Sequence, residues 1–199
     1  EGLFLAILYY LGVRRGEALG LKWGDFDFAA DQVHILRDID FTGSTSSEGT
    51  LKTAAADRFI PVPAVLKEML LPKRESADAY VFHTPSGAPL PQASYKRMWS
   101  RLMLACGCVE RREIKPGTSR PDDILKQVKP TLTPHYFRHN YVTLLYESGV
   151  DPLIAMKIVG HTDYQTTANI YTHLKEETLR RASVNMEKVF ADRSGRGGE

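Results

Sequence analysis

The sequence predicts an α+β fold, mostly helical, with a small antiparallel β-sheet or hairpin on one side. Three observations predict it. Apolar residues recur at helical spacing near both ends of the chain, in runs stopped by glycine. Between about residues 32 and 62 the pattern changes to extended stretches flanking a polar Gly/Ser-rich segment. Beyond residue 130, proline at helix starts and glycine at helix ends alternate along the chain. With 199 residues and an ordinary apolar fraction of 43%, the chain can bury one substantial core or two small ones.

The elements follow in order. Residues 3–12 read as a buried helix ended by Gly12, and residues 15–22 as a second one. "WGDFDF" is a turn leading into a strand at "QVHILR". "DFTGSTSSEGTLKTAAADRFIPVP" suggests one hairpin, with Lys52 toward its tip and residues 58–62 as the return strand. A short helix is expected after Pro63 and a short strand at "YVFHT". "QASYKRMWSRLMLACG" is amphipathic, with Tyr95, Met98, Trp99, Leu102 and Met103 on one side and Lys96, Arg97 and Arg101 toward the other. Residues 109–130 are charged and Pro-rich, an exposed excursion for which a second hairpin is one reading. "TPHYFRHNYVTLLYESG" is a helix with Thr133 at its cap, Pro134 at its first position and Gly149 as its stop. "DPLIAMKIVG" repeats that punctuation, and "DYQTTANIYTHL" and "KEETLRRASVNMEKVF" complete a helical half. Residues 191–199 are a polar, Gly-rich tail expected to be flexible. The chain opens on an apolar run with no initiating Met, and so looks cut from something longer.

Charge and cysteine content narrow the classes. Lys and Arg number 26 against 24 Asp and Glu, so the formal charge of +2 says little about nucleic acid unless the basic residues share a face. No apolar run approaches the roughly 20 residues of a membrane-spanning helix. Cys106 and Cys108 are too close in sequence to join distant segments, and they fit a reducing compartment.

Four places combine reactive side chains with tight local geometry. Arg14 precedes a helix whose Ala18, Leu19 and Leu21 face inward, with Arg15 facing another direction. In "HYFRH", His135 and Arg138 are three apart and share a helix face near an N-terminus, where N–H groups and the dipole favour an anion. His135 and His139 have the spacing of a zinc helix, but the Glu of a metalloprotease is missing between them. His161 directly follows a helix-ending Gly160, and Tyr171 lies ten residues on. Singly, these residues also read as a surface charge, a capping histidine and a packed aromatic.

Taken together, "LGVRRGEALGLKWGDFD", "TLKTAAADRFIPV", "TPHYFRHNYVT" and "IVGHTDYQTTANIYTH" resemble, in order, the motifs of the tyrosine recombinase (phage integrase) family. The resemblance runs from about residue 3 to residue 190 and implies a DNA breaking-rejoining catalytic domain over 1–190. The resemblance further implies that the family's separate N-terminal core-binding domain would be missing from this stretch. Arg14 matches the first arginine of the G-x-R-x-(S/G)-E motif, with Glu17 as its acidic follower. Lys52 matches the hairpin lysine, His135 and Arg138 the H-x-x-R pair, His161 the next histidine and Tyr171 the nucleophile. None of these positions is replaced, which argues against a dead relative. Val159 stands where Leu is usual before Gly-His, and the 109–130 excursion is longer than the family's usual connection.

The chemistry accounts for these residue types. Displacement at a phosphodiester spreads negative charge over its oxygens, so fixed cations and donors are the main catalytic resource. Two planar guanidinium forks, Arg14 and Arg138, hold phosphate oxygens in fixed directions. A phenol is only about one part in a thousand ionised at neutral pH, a deficit of roughly 4 kcal/mol that a base or the cationic site must offset. His135 is the candidate base, His161 an orienting donor, and Lys52, as the resemblance implies, the general acid for the leaving 5′ oxygen. The product is a 3′-phosphotyrosyl DNA with a free 5′ hydroxyl, formed without ATP, metal or other cofactor, and a partner strand can then reverse the step. The implied partners are double-stranded DNA attachment sites and further copies of the chain, a tetramer in the synaptic complex, with no membrane and a cytoplasmic, nucleoid-associated location. Lys96, Arg97 and Arg101 on one helix, and Arg58 beside the hairpin, are candidate DNA contacts. The apolar residues Leu179, Ala182, Val189 and Phe190 are expected to pack in cis or on another copy. Competing readings are type IB topoisomerase-like relaxation, a non-catalytic DNA-binding regulator on the same fold, and a metal-dependent hydrolase.

Overall fold

A computed structural model describes residues 1–42, 45–49, 57–111, 125, 127–161, 165, 167–169, 171–172 and 175–176. Helix α1 (Gly2–Leu11) is apolar almost all round and buries Leu3, Phe4, Ala6, Ile7, Leu8 and Leu11, as an element at the centre of a core must. Gly12 ends it in the left-handed conformation, φ 60°, its N–H closing on the Leu8 carbonyl. The chain then turns directly into α2 (Arg15–Gly20), whose Glu17 carboxylate accepts the Arg14 backbone N–H at 2.8 Å.

The β-structure differs from the single hairpin expected. β1 (Phe26–Asp27), β2 (Gln32–Ile35) and β5 (Arg58–Pro61) form an antiparallel sheet in the order β1-β2-β5. β3 (Asp38–Thr42) and β4 (Thr45–Gly49) pair with each other as a hairpin of their own. Residues 58–61 therefore return to β2 and not to the hairpin. The apolar alternation decides this. Val33 pairs with Ile60, burying both, and Ile35 pairs with Arg58 on the same inward face. "YVFHT" is not a strand either, since Tyr80 and His83 make only isolated bridges, to Lys22 and Pro89.

After α3 (Ala64–Leu70), helix α4 (Gln92–Ala105) buries Tyr95, Met98, Trp99, Leu102 and Met103 and exposes Lys96, Arg97 and Arg101, as its pattern predicts. Edge-to-face contacts of Phe4 with Phe82, Tyr95 and Trp99 lock it onto α1. The ends of the Pro-rich excursion pair as β6 (Val109–Arg111) and β7 (Val128–Pro130), while residues 112–124 lie outside the described set. Helix α5 (Pro134–Glu147) packs on α1, and α6 (Pro152–Val159) packs on α5 and β5. Thr133 is the N-cap residue of α5, but its side chain makes no capping bond; Asp151 does cap α6, accepting from Leu153 and Ile154. A small second cluster of Val142, Ala155, Val159 and Tyr171 sits apart from the main core. Lys52, the helix expected from residue 175 onward with its apolar residues, and the tail all lie outside the described residues, except 175–176. Among the described residues no helix is long and apolar enough to cross a membrane.

Gly12 joins α1 to the rest of the fold under two constraints, its positive φ and the Tyr141 ring, with which any Cβ there would collide. Gly12→Ala is expected to lower stability by about 2 kcal/mol or more. Urea unfolding is the measurement, and a variant within about 0.5 kcal/mol of the parent would show that this contact relaxes freely.

Candidate active site

Glu17 is buried, with 2% exposure, between two guanidinium groups. Arg14 Nη1 donates to Glu17 Oε1 at 2.7 Å, while Arg58 takes the same carboxylate in a fork, Nη1 to Oε1 at 3.1 Å and Nη2 to Oε2 at 2.8 Å. Burial by itself would raise the Glu17 carboxyl, but the hydrogen bonds and charge of Arg58, with those of Arg14, outweigh it and hold it down at about 2. The two arginines also bind the end of α6: Arg58 Nε donates to the Ile158 carbonyl at 2.9 Å and Arg14 Nη2 to that of Gly160 at 3.0 Å. One carboxylate thus fastens α2, β5 and the loop before His161 together. Gly160 is confined to glycine twice over, since φ is 74° and a Cβ would stand 2.9 Å from the Arg58 guanidinium.

Arg138, on the inner face of α5, is 2% exposed. Its Nη1 donates to the Gly12 carbonyl at 3.0 Å, and its buried Nη2 has no hydrogen-bond partner among the described residues. Burial, then repulsion from Arg14 and Arg58, brings this guanidinium down to about 9. A buried cationic donor left unpaired carries a penalty of at least about 1–3 kcal/mol, which an anion can relieve. The space available is a cavity of about 340 Å³ lined by residues 13–16, Asp38, Asp40, residues 133–135 and Arg138.

Two imidazoles feel the same cations. His135 lines the cavity at the start of α5, its proton affinity lowered by partial burial and by His139, Arg138 and Arg14. The His139 ring lies edge-on to it at 4.7 Å. His161 is pushed down to about 4, chiefly by burial and then by Arg138 and Arg14, and its Nδ1 is 2.8 Å from the Thr167 hydroxyl. At neutral pH both rings are therefore uncharged.

Tyr171 is placed differently. Its hydroxyl donates to the Val150 carbonyl at 3.0 Å, its ring meets Tyr146 edge-on at 5.1 Å, and it is 8% exposed. Burial, with Asp151 nearby, raises the phenol further. It belongs to the small α5–α6 cluster and does not line the cavity. The structure thus brings Arg14, His135 and Arg138 into one cavity, with His161 in the field of both arginines, and leaves the Tyr171 hydroxyl elsewhere.

Arg58 needs correcting as a candidate DNA contact. It points inward because it pairs with Ile35 on the buried face of the sheet, and its fork is occupied by Glu17. Lys96 and Arg97 are exposed on α4, and Arg101, also exposed, forms an ion pair with Glu1. Sequence reasoning missed the Arg58 fork, which the alternation of β5 against β2 carried. It also missed Thr167, which nothing in the sequence singled out, and placed Arg15 away from the site although Arg15 lines the cavity. Among the described residues no three His, Cys, Asp or Glu side chains are grouped to hold a metal ion.

A model of the phage integrase family matches residues 1–178. A tyrosine recombinase XerC-like protein of Caldanaerobacter subterraneus subsp. tengcongensis is 25% identical, the match covering 96% of this chain and 49% of that protein. Tyrosine recombinase XerA of Thermococcus onnurineus is 29% identical, over 92% of this chain and 54% of its own length. The chain thus spans about half the length of the curated relatives it matches. Among solved structures, the Tn1549 transposon integrase in complex with transposon right end DNA shares the fold, with a TM-score of 0.61 at 23% identity over 90% of this chain and 58% of that one.

Two outcomes follow from the site's electrostatics. Arg58→Met leaves the buried Glu17 carboxylate half-compensated and is expected to destabilise by about 3–5 kcal/mol, with Glu17→Gln added to it recovering part of that loss; equal urea midpoints for parent and Arg58→Met would count against the shared carboxylate. His161 takes its proton at about 4 in the fold but at about 6.5 in the unfolded chain. The unfolded state binds more protons between those values, so stability falls as pH drops from about 6.5 toward about 4. Thermal melts of the free protein at pH 7 and pH 5 should show this drop, and His161→Gln should reduce it; an identical drop in the variant would assign the effect elsewhere.

Proposed function

The chain belongs to the phage integrase family, and from that premise we propose that it carries the catalytic domain of a site-specific DNA recombinase. The observation that carries the reading is the Arg138 guanidinium, buried with one nitrogen unpartnered among the described residues, at a cavity it shares with Arg14 and His135. A scissile phosphate is an anion that suits this arrangement of donors. Arg138 Nη2 and the exposed part of Arg14 hold its non-bridging oxygens and meet the charge that grows on them as the bond breaks.

The Tyr171 oxygen attacks the phosphorus, the 5′ oxygen leaves, and the DNA 3′ end stays on the protein as a phosphotyrosine. The phenolic proton needs an acceptor, and neutral His135 at the cavity can serve as one. His161, also neutral and oriented by Thr167, donates to a phosphate oxygen from its other nitrogen. Lys52 is assigned to protonate the leaving 5′ oxygen on the strength of the family motif. A 5′ hydroxyl from a second duplex reverses the displacement and completes strand exchange. Relatives whose structures contain DNA, the Tn1549 integrase and the XerH recombinase bound to difH, support double-stranded DNA as the partner. Exchange between two duplexes calls for several copies of the chain on the DNA, with four in the synaptic complex.

The reaction requires the Tyr171 hydroxyl to leave the Val150 carbonyl and enter the cavity. A nicked suicide duplex carrying the recombination site is expected to yield a protein–DNA adduct that survives denaturation and maps to Tyr171. Tyr171→Phe abolishes the adduct, and EDTA does not. Adduct formation at another residue, or turnover without any adduct, would overturn the assignment.

A further inference from the structure

Arg15 lines the same cavity as Arg14 and Arg138, yet the site as described gives it no task. Its side chain is exposed at the cavity, and its guanidinium carbon lies 4.9 Å from the centre of the Phe41 ring and 5.5 Å from that of Tyr95. Both rings are fixed by the fold: Tyr95 is buried on α4, stacked beside Trp99, and Phe41 pairs into the β3–β4 hairpin. Contact through a ring face holds a cation in place without occupying its N–H donors. The neighbouring arginines contrast with it. Arg14 is committed to Glu17 and Gly160, and Arg138 to Gly12 through one nitrogen. Among the described residues Arg15 has no carboxylate partner. It is a guanidinium that the protein positions on an aromatic shelf and leaves open.

The cavity wall carries three arginines, Arg14, Arg15 and Arg138, together with Asp38 and Asp40. The aspartates project from β3 two residues apart, on one side of the strand. An anion entering between them and α2 meets Arg15 as well as Arg14 and Arg138.

We propose that Arg15 is a second DNA-backbone clamp, gripping a phosphate adjoining the one held by Arg14 and Arg138. This rests on the recombinase reading and extends it: Arg15 sets where the strand lies across the cavity while the other two arginines act on the reacting phosphate. A backbone contact of this kind is insensitive to base identity, so its signature is ionic. Each phosphate neutralised releases condensed counterions and adds roughly 0.9 to the slope of log affinity against log salt.

The test is equilibrium binding of the 199-residue chain to a short duplex of random sequence across a salt series. Arg15→Gln is expected to make the slope shallower by roughly 0.9 relative to the parent, and Arg15→Lys to restore most of it, since the charge is kept. Phe41→Leu removes one of the two rings of the shelf but not the charge and should weaken binding at low salt by a smaller factor. Thermal melts of the variants separate loss of fold from loss of contact, and Arg15→Lys keeps the comparison valid if Arg15→Gln proves unstable. A parent slope retained in Arg15→Gln overturns the clamp and leaves the recombinase reading intact. No salt-dependent binding by the parent overturns both, and an adduct at Tyr171 that persists alongside an unchanged slope isolates the failure to Arg15.

Discussion

A single buried carboxylate holds this site together. Glu17 accepts from Arg14 on one side and from the Arg58 fork on the other, and the same two arginines hold the carbonyls that end α6. A buried ion group of this kind is weak evidence for stability, because desolvating three charges offsets most of their attraction. Its consequence here is geometric. Helix α2, strand β5 and the loop leading to His161 come from sequence positions far apart, and hydrophobic packing alone would tolerate small slips between them. A forked hydrogen bond does not tolerate such slips, so Arg14 and the His161 loop share one frame of reference.

That frame leaves a surplus of positive charge. Glu17 can neutralise only one of its two arginines, and Arg138 stands nearby with one nitrogen unpartnered among the described residues. The surplus is visible in three neighbouring groups. Arg138 is brought down to about 9, His161 to about 4 and His135 below its ordinary value, in each case by burial first and the other cations next. These shifts share a direction and a remedy. An anion placed among the arginines offsets the repulsive part of each shift and leaves the part due to burial.

The sequence showed the helices more clearly than the sheet. Helical periodicity and glycine stops located α1, α4, α5 and α6 closely, because each buries a stripe that the amphipathic pattern marks. The strands were misjoined: local signals placed one hairpin within 40–63, whereas the partner of β5 is β2, chosen by long-range burial of Val33 against Ile60. Arg58 was misread for the same reason, since its inward direction depends on that register. At the site, the spacing of His135 and Arg138 marked a shared helix face, but periodicity carried no sign that Arg14 would meet them; the family motifs supplied that expectation. Arg15 was placed facing away because what matters about it, two aromatic rings from β3 and α4, is created only by folding.

Tyr171 makes the remaining demand on the fold. In this arrangement its hydroxyl is satisfied by Val150 and its ring by Tyr146, so the phenol is stable and un-ionised away from the arginines. Moving it gives up one hydrogen bond, worth about 0.5–1.5 kcal/mol net, and an aromatic pair of similar size. Among the described residues the cluster that holds it has four buried members, apart from a main core of twenty-five. Against that modest loss stands what the cavity offers a phenolate near a bound phosphate: two fixed guanidinium groups and an uncharged imidazole. In the proposed reaction the Val150 bond is exchanged for contacts around the reacting phosphate, so the move belongs to the DNA-bound state.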